Sequence, residues 1–400
     1  MPSYASLKWS FARSRLEFRE RSGALLKIQY KLFNMLRRLV IAAASLWLKR
    51  YRREEPLDLA DVSSVLIIPN EPIGDLLLTS TLWHILKARK PELRIGVMAS
   101  PRNKSLLRND AEVTHEYDIF THNLLHRLRE IFRARRDNWD VVITTGGFFK
   151  PVRYALMMRF VARDKVTASL HDSREERLHN IYSYCFKRAV HLPIIEQFQS
   201  LLERLFEIEI RDDERIPRYS PKQEVLVETG IRVRELRDRL GGESVVHLHL
   251  EAKRLSLEWE LDNVRKFAER LTSVRGNVLL LLTASPLFLS RYPEYTNLGI
   301  ERCMIFPTKS VEELAAIIPF VDLVITPDTA VVHFAALAHA PLIVLFEKET
   351  EWMPYRAQFT IFTSGAHIPV RFIPVEQVLA ASLTLMNKRQ VDSDPSIPTR

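Results

Sequence analysis

Three residues with phosphate-binding or acid–base potential, Asp328, Thr329 and His333, follow a strand pattern in the stretch DLVITPDTAVVHFAALAHAPLIVLF. Leu323–Thr326 predict a buried strand, and Val331–Ala338 predict a helix of small residues. In a parallel sheet the turn between them lies at the carboxyl edge, where open α/β folds bind ligands. The backbone N–H groups and partial positive charge of a helix amino end suit a phosphate. A purely structural interpretation stays open, in which the aspartate or threonine caps the helix and the histidine lies on the surface.

A second carboxylate occupies the matching turn in the N-terminal half. The segment VLIIP at 65–69 predicts a strand and Leu76–Arg89 a helix, with Gly74 and Asp75 between them. Gly74 permits a tight turn. Asp75 either caps the helix or lies at the mouth of a cleft, where it could remove a proton from an incoming hydroxyl. The sequence contains neither a GxGxxG nor a GxxxxGK[ST] phosphate loop, so neither the dinucleotide fingerprint nor the P-loop supports this domain.

Strand and helix patterns alternate on both sides of a polar segment. Before it, strands are predicted at 94–100 and 141–147 and a basic helix at 124–136, while residues 151–215 look mainly helical. The segment RDDERIPRYSPKQE at 211–224 predicts an interdomain linker. After it, the predicted elements are strands at 245–250, 277–284 and 342–346 and helices over Leu261–Leu271, Val311–Ile317 and 371–387. This organisation predicts an α/β protein with two doubly wound, Rossmann-like domains facing across a cleft.

Positive charge is concentrated at the N-terminus. Residues 1–53 carry 13 Lys and Arg against 2 Asp and Glu, whereas the whole chain has a net charge of +9. The body of the protein is therefore close to neutral, which argues against nucleic acid as a partner.

Residues 22–53 have the pattern of a basic amphipathic helix, with apolar residues at three-and-four spacing. Its apolar run LVIAAASLWL has ten residues, about half of the ~20 that a bilayer span requires. The following KRYRR does not resemble a signal-peptide cleavage site. The pattern favours an anchor on an anionic membrane surface, and the alternative is a helix that packs on the protein itself or on another subunit.

The cysteines and one histidine pair were considered as metal ligands. Cys185 and Cys303 lie far apart without the spacing of a zinc or redox site, which indicates a reducing compartment. His247 and His249 would share one face of a strand, but no acidic or cysteine ligand accompanies them. We therefore expect no metal site.

Two blocks of the sequence, taken together, resemble glycosyltransferase family 9, the lipopolysaccharide heptosyltransferases and their relatives. The blocks are IGDLLLTSTLWHILKARKPELRIGVM and PTKSVEELAAIIPFVDLVITPDTAVVHFAALAHAPLIVLF, and the resemblance covers roughly residues 63–350. It implies a GT-B fold and an inverting, metal-independent sugar transfer without a cofactor, with ADP-heptose as the donor of the best-known members. Together with the sequence patterns, the resemblance predicts a basic amphipathic helical extension (1–60), an acceptor-side domain (61–215), a nucleotide-sugar-binding domain (216–387) and a disordered tail (388–400).

The resemblance also implies roles for individual residues. Asp75 takes the place of the family's base on the acceptor hydroxyl. The family's Asp-Thr-Gly-x-x-His phosphate motif corresponds to Asp328, Thr329, Ala330 and His333, with alanine in place of glycine. Thr308 and Lys309 would lie near the donor's nucleoside. On the acceptor side the expected residues are Gly74, Arg102 and Lys104, with Arg153, Arg159 and Arg174 as further candidates or as solvated surface residues.

The chain departs from the family at the phosphate-binding lysine, which precedes a Trp-Pro pair by two residues. With Trp259 as that tryptophan, Leu257 stands at the lysine position and Glu260 replaces the proline. Lys253 and Arg254 could substitute in the preceding loop, or they could be a solvated basic pair.

The sequence thus predicts an enzyme on the cytoplasmic face of the bacterial inner membrane. It would move a sugar, such as heptose from ADP-heptose, to a lipopolysaccharide core or a related surface glycan. The alternatives are a relative that uses another nucleotide sugar for O-antigen or capsule synthesis, and a non-catalytic member that only binds donor or glycan.

Overall fold

The computed structural model describes residues 52–101, 103–108, 110–121, 123–146, 151–171 and 181–392, with the backbone alone at 151–153 and 388–392. Within these residues no helix combines the length and the apolar character needed to cross a bilayer. Apart from Arg52 and Arg53, the anchor predicted over 22–53 lies outside the described residues, and so do residues 393–400 of the predicted tail.

The first domain is built on a six-stranded parallel sheet. Its strands are β1 (Ser64–Ile68), β2 (Arg94–Ala99), β3 (His115–Asp118), β4 (Val141–Thr144), β5 (Val166–His171) and β6 (Tyr184–Lys187), in the order β3-β2-β1-β4-β5-β6. One face packs on α1 (Ile73–Arg89) and α5 (Ile194–Phe206). The other face packs on α3 (Leu124–Arg136) and α4 (Pro151–Ala162), and the short α2 (Lys104–Leu107) follows β2.

The second domain repeats this plan. Its strands are β7 (Ser244–His249), β8 (Val278–Ala284), β9 (Cys303–Pro307), β10 (Leu323–Pro327), β11 (Leu342–Phe346) and β12 (Phe359–Thr363), in the order β12-β11-β10-β7-β8-β9. On one face lie α6 (Gln223–Leu240), α9 (Val311–Ile317) and α10 (Val331–Leu337). On the other lie α7 (Leu261–Val274), α8 (Pro286–Arg291) and α11 (Val375–Asp392). The prediction of two doubly wound α/β domains is confirmed.

The sequence predicts the central strands other than β5, because both of their faces are covered and their residues form apolar runs. Each residue of β1 (SVLII) and of β8 (VLLLLTA) is buried, so these strands are almost continuously apolar. The strands β3, β6, β9 and β12 lie at sheet edges and carry weaker patterns, such as HEYD in β3. The expectation of a mainly helical segment over 151–215 is wrong, since β5 and β6 lie within it.

Several element boundaries also differ from the sequence patterns. The segment predicted as the linker, 211–224, contains a 3-10 turn at Asp212–Arg215, and α6 already begins at Gln223. The final helix runs over Val375–Asp392 rather than 371–387, and therefore includes the first residues of the predicted tail. A separate 3-10 turn at Val370–Phe372 precedes it.

Helix α1 of the first domain also packs against the second domain. Its residues from Gly74 to Leu86 are all buried, including several hydroxyl-bearing ones. The hydroxyls of Thr79, Ser80 and Thr81 donate back to carbonyls of the preceding turn, which satisfies them inside an apolar environment. A helix that is buried on all sides lies in a protein interior. Here α1 belongs to one continuous apolar cluster that includes residues of the first sheet and of the second domain.

A loop of the second domain also crosses to the first. We call residues 347–358, between β11 and β12, the bridging segment. The carbonyl of Glu351 accepts from the backbone N–H of Ile194 at 2.8 Å, and its carboxylate forms an ion pair with Arg188. The same carboxylate accepts from Gln197 Nε2 at 3.0 Å. Farther along, Arg356 pairs with Asp212 at 2.8 Å. These contacts set the relative position of the two domains.

The two domains approach each other closely at the start of α1. A Cβ placed on Gly74 would stand 2.7 Å from Cδ2 and 3.1 Å from Nε2 of His333, which belongs to α10. It would also lie 3.8 Å from the Cα of Ala330. Only glycine therefore lets the amino ends of α1 and α10 meet at this distance.

We predict that Gly74→Ala destabilises the protein by about 1–3 kcal/mol, because the added methyl group overpacks the buried interface. Gly276→Ala is the control, since its Cβ would meet only Arg302 Nη1 at 3.7 Å. Urea unfolding followed by tryptophan fluorescence measures both variants. Equal unfolding midpoints for the two variants would contradict the close packing of Gly74 on His333.

Candidate active site

Sheet topology places the predicted site residues at two facing crevices. In the first sheet the strand order reverses between β1 and β4, and in the second it reverses between β7 and β10. Ligands of doubly wound domains bind at such points, beyond the carboxyl ends of the strands. The first turn of α1, which follows β1, carries Asp75. The loop after β7 carries Lys253 and Arg254, and the turn after β10 carries Asp328 and Thr329.

Asp75 lies in the first turn of α1 but does not cap it. The N-cap residue is Pro72, which forms no side-chain cap. The Asp75 carboxylate instead accepts two hydrogen bonds, from Asn70 Nδ2 to Oδ2 at 2.5 Å and from Trp352 Nε1 to Oδ1 at 2.7 Å. Asn70 is the second residue after β1, whereas Trp352 belongs to the bridging segment of the other domain. One donor from each domain therefore orients this carboxylate.

Burial makes Asp75 an unusually basic carboxylate. Asp75 is only 5% exposed. Burial raises the pKa of Asp75 to about 6, although the hydrogen bonds from Asn70 and Trp352 and the charge of Lys253 oppose the rise. The nearby charge of Asp328 raises it further. Such a group is mostly ionised at neutral pH and still accepts a proton readily, which is the requirement for a general base.

The turn after β10 uses Thr329, rather than Asp328, to begin α10. The Thr329 hydroxyl accepts from the backbone N–H of Val331 at 3.2 Å and lies 3.0 Å from the hydroxyl of Thr326. Ala330 occupies the N-cap position and provides no side-chain cap. The Asp328 carboxylate forms no hydrogen bond to a described residue, so its oxygens are available to a ligand at the cleft. Burial raises the pKa of Asp328, and the charges of Arg254 and Lys253 oppose this rise.

Lys253 and Arg254 supply positive charge to the site. Both are exposed in the loop that follows β7. The charge of Lys253 acts on the pKa of Asp75 as well as on that of Asp328, so its ammonium group lies within range of both domains' carboxylates. Arg254 reaches Glu347 of the bridging segment, with Nη2 3.5 Å from Oε2.

Leu257, which stands at the position of the family's phosphate-binding lysine, is part of the hydrophobic core. Leu257 and Trp259 are both buried, and Trp259 Nε1 donates to the carbonyl of Ile373 at 3.2 Å. Neither side chain can reach a ligand in the cleft. Positive charge at this side of the site therefore comes from Lys253 and Arg254, which lie a few residues earlier.

His333 is buried against Gly74 and is neutral. Burial lowers its pKa to about 4, and its Nδ1 has no hydrogen-bond partner among the described residues. The histidine thus contributes packing and an uncharged imidazole rather than a positive charge. Gly74, expected on the acceptor side, is covered by this ring.

The nucleoside candidates lie at the far edge of the second sheet, after β9. Thr308 is buried, and its backbone N–H donates to the carbonyl of Ala284 at 3.0 Å. The backbone N–H of Lys309 donates to the Glu313 carboxylate at 2.6 Å, and Lys309 is exposed. Both residues share the carboxyl edge of the sheet with the other donor-side residues.

The acceptor-side candidates have different environments. Lys104, at the start of α2, lies 3.8 Å from the carboxylate of Asp118. Arg159 is buried, and its guanidinium donates to the carbonyls of Ile181 and Lys165, so it stabilises the first domain and does not line the cleft. Arg102, Arg174 and the side chain of Arg153 lie outside the described residues.

The histidine pair considered as metal ligands binds a threonine. His247 Nε2 and His249 Nδ1 lie 2.6 and 3.0 Å from the hydroxyl of Thr283. Burial lowers the pKa of His247 to about 3 and that of His249 to about 4. The three side chains form a neutral hydrogen-bonded group on the second sheet.

Sequence reasoning missed the two residues that orient Asp75. Asn70 could have been found, because it is the polar residue directly after a predicted strand. Trp352 could not, since 277 residues separate it from its partner.

Comparison with known proteins agrees with this architecture. The model of glycosyltransferase family 9 (heptosyltransferase) matches residues 126–369. The structure of a family 9 glycosyl transferase from Veillonella parvula has a TM-score of 0.67 at 13% identity, covering 83% of this chain and 99% of its own. E. coli ADP-heptose lps heptosyltransferase II has a TM-score of 0.61 at 16% identity, covering 82% and 99%. E. coli heptosyltransferase WaaC with ADP has a TM-score of 0.60 at 16% identity, covering 81% of this chain and 99% of its own.

At these identities the structural similarity establishes the fold. No curated protein sequence matches the chain. The family match extends over more than half of the chain and includes the turn after β10 with its Asp-Thr pair. The protein is therefore a glycosyltransferase, and the chain belongs to glycosyltransferase family 9.

Proposed function

We propose that the protein transfers a sugar from a nucleotide diphosphate donor to an acceptor hydroxyl with inversion at the anomeric carbon. The observation that carries this proposal is that Lys253 and Asp328 of one domain are near enough to Asp75 of the other to act electrostatically on its carboxylate. A base with a pKa of about 6 thus faces a positively charged donor side across the cleft.

The proposed reaction needs one group on each side of the anomeric carbon. Asp75 removes the proton of the acceptor hydroxyl while the oxygen forms its bond to that carbon. The bond from the carbon to the diphosphate breaks on the opposite face, and the nucleotide diphosphate leaves. Because attack and departure occur on opposite faces, the configuration inverts. With Asp75 acting as a base rather than as a nucleophile, no covalent sugar–enzyme intermediate is required.

Positive charge for the leaving diphosphate comes from the protein in this proposal. Lys253 and Arg254 provide cationic side chains, and the amino end of α10 adds a partial positive charge. Thr329 and Ala330 form the backbone at that helix start. These groups support a metal-independent transfer, which predicts full activity in the presence of a chelator.

Heptose transfer from ADP-heptose is the donor assignment that we propose first. Its support is the family match together with the similar E. coli structures, one of which is named as an ADP-heptose enzyme and another as containing ADP. Thr308 and Lys309 would contact the nucleoside. The acceptor would be a lipopolysaccharide core or a related surface glycan, reached from the cytoplasmic face of the inner membrane. Residues 22–53 would hold the enzyme there.

A second donor class is favoured by two departures from the family motif. Leu257 is buried where the family has its phosphate-binding lysine, and Ala330 adds a methyl group where the family has glycine. Both changes alter the surroundings of the donor phosphates. Transfer of another sugar to O-antigen or capsule is therefore the alternative, and a panel of nucleotide sugars distinguishes the two.

We predict that Asp75→Asn lowers the transfer rate by about 10²–10⁴-fold, because the base is removed while the shape of the site is kept. Binding of the donor nucleotide, measured by calorimetry, is expected to persist. Asp213→Asn, at an exposed aspartate, serves as the control. If the wild-type protein binds nucleotide sugars but transfers none of them across the panel, the protein is a non-catalytic binder and the proposed reaction is wrong.

We predict that Trp352→Phe moves the acidic limb of the rate–pH profile to higher pH. Its indole N–H lowers the pKa of Asp75, so losing the hydrogen bond raises that pKa and leaves less of the base ionised at low pH. Activity at pH 6 should fall about tenfold relative to wild type, with a smaller loss at pH 8. Initial rates across this pH range test the expectation. An unmoved limb would show that Trp352 does not act on the base.

We predict that Lys253→Met weakens donor binding about tenfold, as expected for the loss of one charge-assisted contact to a phosphate. Lys266→Met is the matched control, because Lys266 is an exposed lysine on α7, on the opposite face of the second sheet. Calorimetric titration with the nucleotide diphosphate compares the two variants. Equal affinities of the two variants would show that Lys253 does not bind the donor phosphate.

A further inference from the structure

A row of large apolar side chains lies exposed on the first domain. We call it the apolar patch, and its members are Leu124, Leu125, Leu128 and Phe132 of α3 and Leu156 and Phe160 of α4. Leu125 is 79% exposed and Phe132 is 58% exposed. The rings of Phe132 and Phe160 meet edge to face with their centroids 5.3 Å apart, which joins the two helices. Single exposed leucines are common, whereas a contiguous exposed row marks an interaction surface.

The orientation of α3 shows that packing within the domain does not explain this row. Leu125, Leu128 and Phe132 recur at helical spacing and therefore share the outward side of α3. On the inward side, Glu130 and Ala134 are buried. The Glu130 carboxylate accepts from the backbone N–H of Asp118 at 3.3 Å and pairs with Arg133. The helix thus turns a charged residue towards its own sheet and its largest apolar residues towards the outside.

The exposed charges of α3 are all positive. Helix α3 contains five arginines, whereas its one acidic residue is the buried Glu130. Arg129 and Arg136 are exposed and form no ion pair with any residue in the described part of the chain. The guanidinium of Arg135 lies 4.4 Å from the centre of the Phe160 ring, at the edge of the patch. Exposed leucine and phenylalanine bordered by arginine is the composition of helices that lie on anionic membranes.

We propose that the apolar patch docks the first domain onto the surface of an anionic lipid bilayer. The leucine and phenylalanine side chains enter the boundary between headgroups and acyl chains, and Arg129 and Arg136 bind lipid phosphates. This contact is separate from the anchor predicted over 22–53. It also does not depend on the transfer reaction, so it can be tested without donor or acceptor.

The position of the patch gives the docking a direction. Helix α3 follows β3 and α4 follows β4, so both helices begin at the carboxyl edge of the first sheet. The same edge carries Asp75 after β1. A bilayer against α3 and α4 therefore lies beside the mouth of the cleft.

The first experiment places a fluorescent probe in the patch of the full-length chain. Phe132→Trp is mixed with vesicles of equal parts phosphatidylglycerol and phosphatidylcholine, with or without bromine on the acyl chains. We expect the added tryptophan emission, taken as the difference from wild type, to be quenched by the brominated lipid. Leu287→Trp is the control, because Leu287 is 68% exposed on the second domain. Equal quenching of both probes, or none for the Phe132→Trp variant, would overturn the proposal.

The same variant also tests whether the patch is free. If the added emission of Phe132→Trp is already blue-shifted without vesicles and is unaffected by them, another part of the chain covers the patch. That result would also overturn the proposal.

The second experiment removes the charge complementarity. The double variant Arg129→Glu/Arg136→Glu should lower the vesicle partition coefficient about tenfold or more in cosedimentation, and high salt should reduce the difference. Arg265→Glu, at an exposed arginine of α7, is expected to change the coefficient little. An unchanged coefficient for the double variant would refute docking through the patch.

Discussion

The two hydrogen bonds that hold the Asp75 carboxylate come from different domains, and the rest of the site depends on this arrangement. Asn70 donates from the end of β1, and Trp352 donates from the bridging segment. The bond from Trp352 requires the domains to be as close as the contact of Gly74 with His333 allows, whereas the bond from Asn70 lies within the first domain. The packing of the domains and the orientation of the proposed base therefore depend on each other, mainly through Gly74 and the indole of Trp352.

Closeness of the domains also determines the electrostatics of the cleft. Burial raises the pKa of Asp75 to about 6, and Lys253 from the other domain limits the rise. Burial likewise keeps His333 neutral. The site therefore contains a basic carboxylate, an uncharged imidazole and an exposed cation near a helix amino end. This combination suits transfer to a hydroxyl with departure of a diphosphate, because each developing charge meets a group of opposite sign.

The surface of the first domain complements the site at its mouth. Two helices that begin at the edge carrying Asp75 expose leucine and phenylalanine beside arginine. A glycolipid acceptor has its sugar at a membrane surface, so a domain that lies on that surface would meet the acceptor with a short path to its base. The neutral net charge of the body does not reveal this, since the positive charge is local to α3.

Local patterns were sufficient for the doubly wound class, for the buried central strands other than β5, and for the segments that carry Asp75, Asp328 and Thr329. These depend on continuous apolar runs and on residues adjacent in sequence. The edge strands β3, β6, β9 and β12 were missed because partly covered strands need no continuous apolar run, and the buried β5 was missed because its sequence VTASLH interrupts apolar residues with threonine and serine. Only the tertiary structure decided the partners of Asp75, the burial of His333 and of Leu257, and the outward face of α3. Each of these features depends on contacts between segments that are distant in sequence. Neighbouring residues in the sequence therefore cannot predict it.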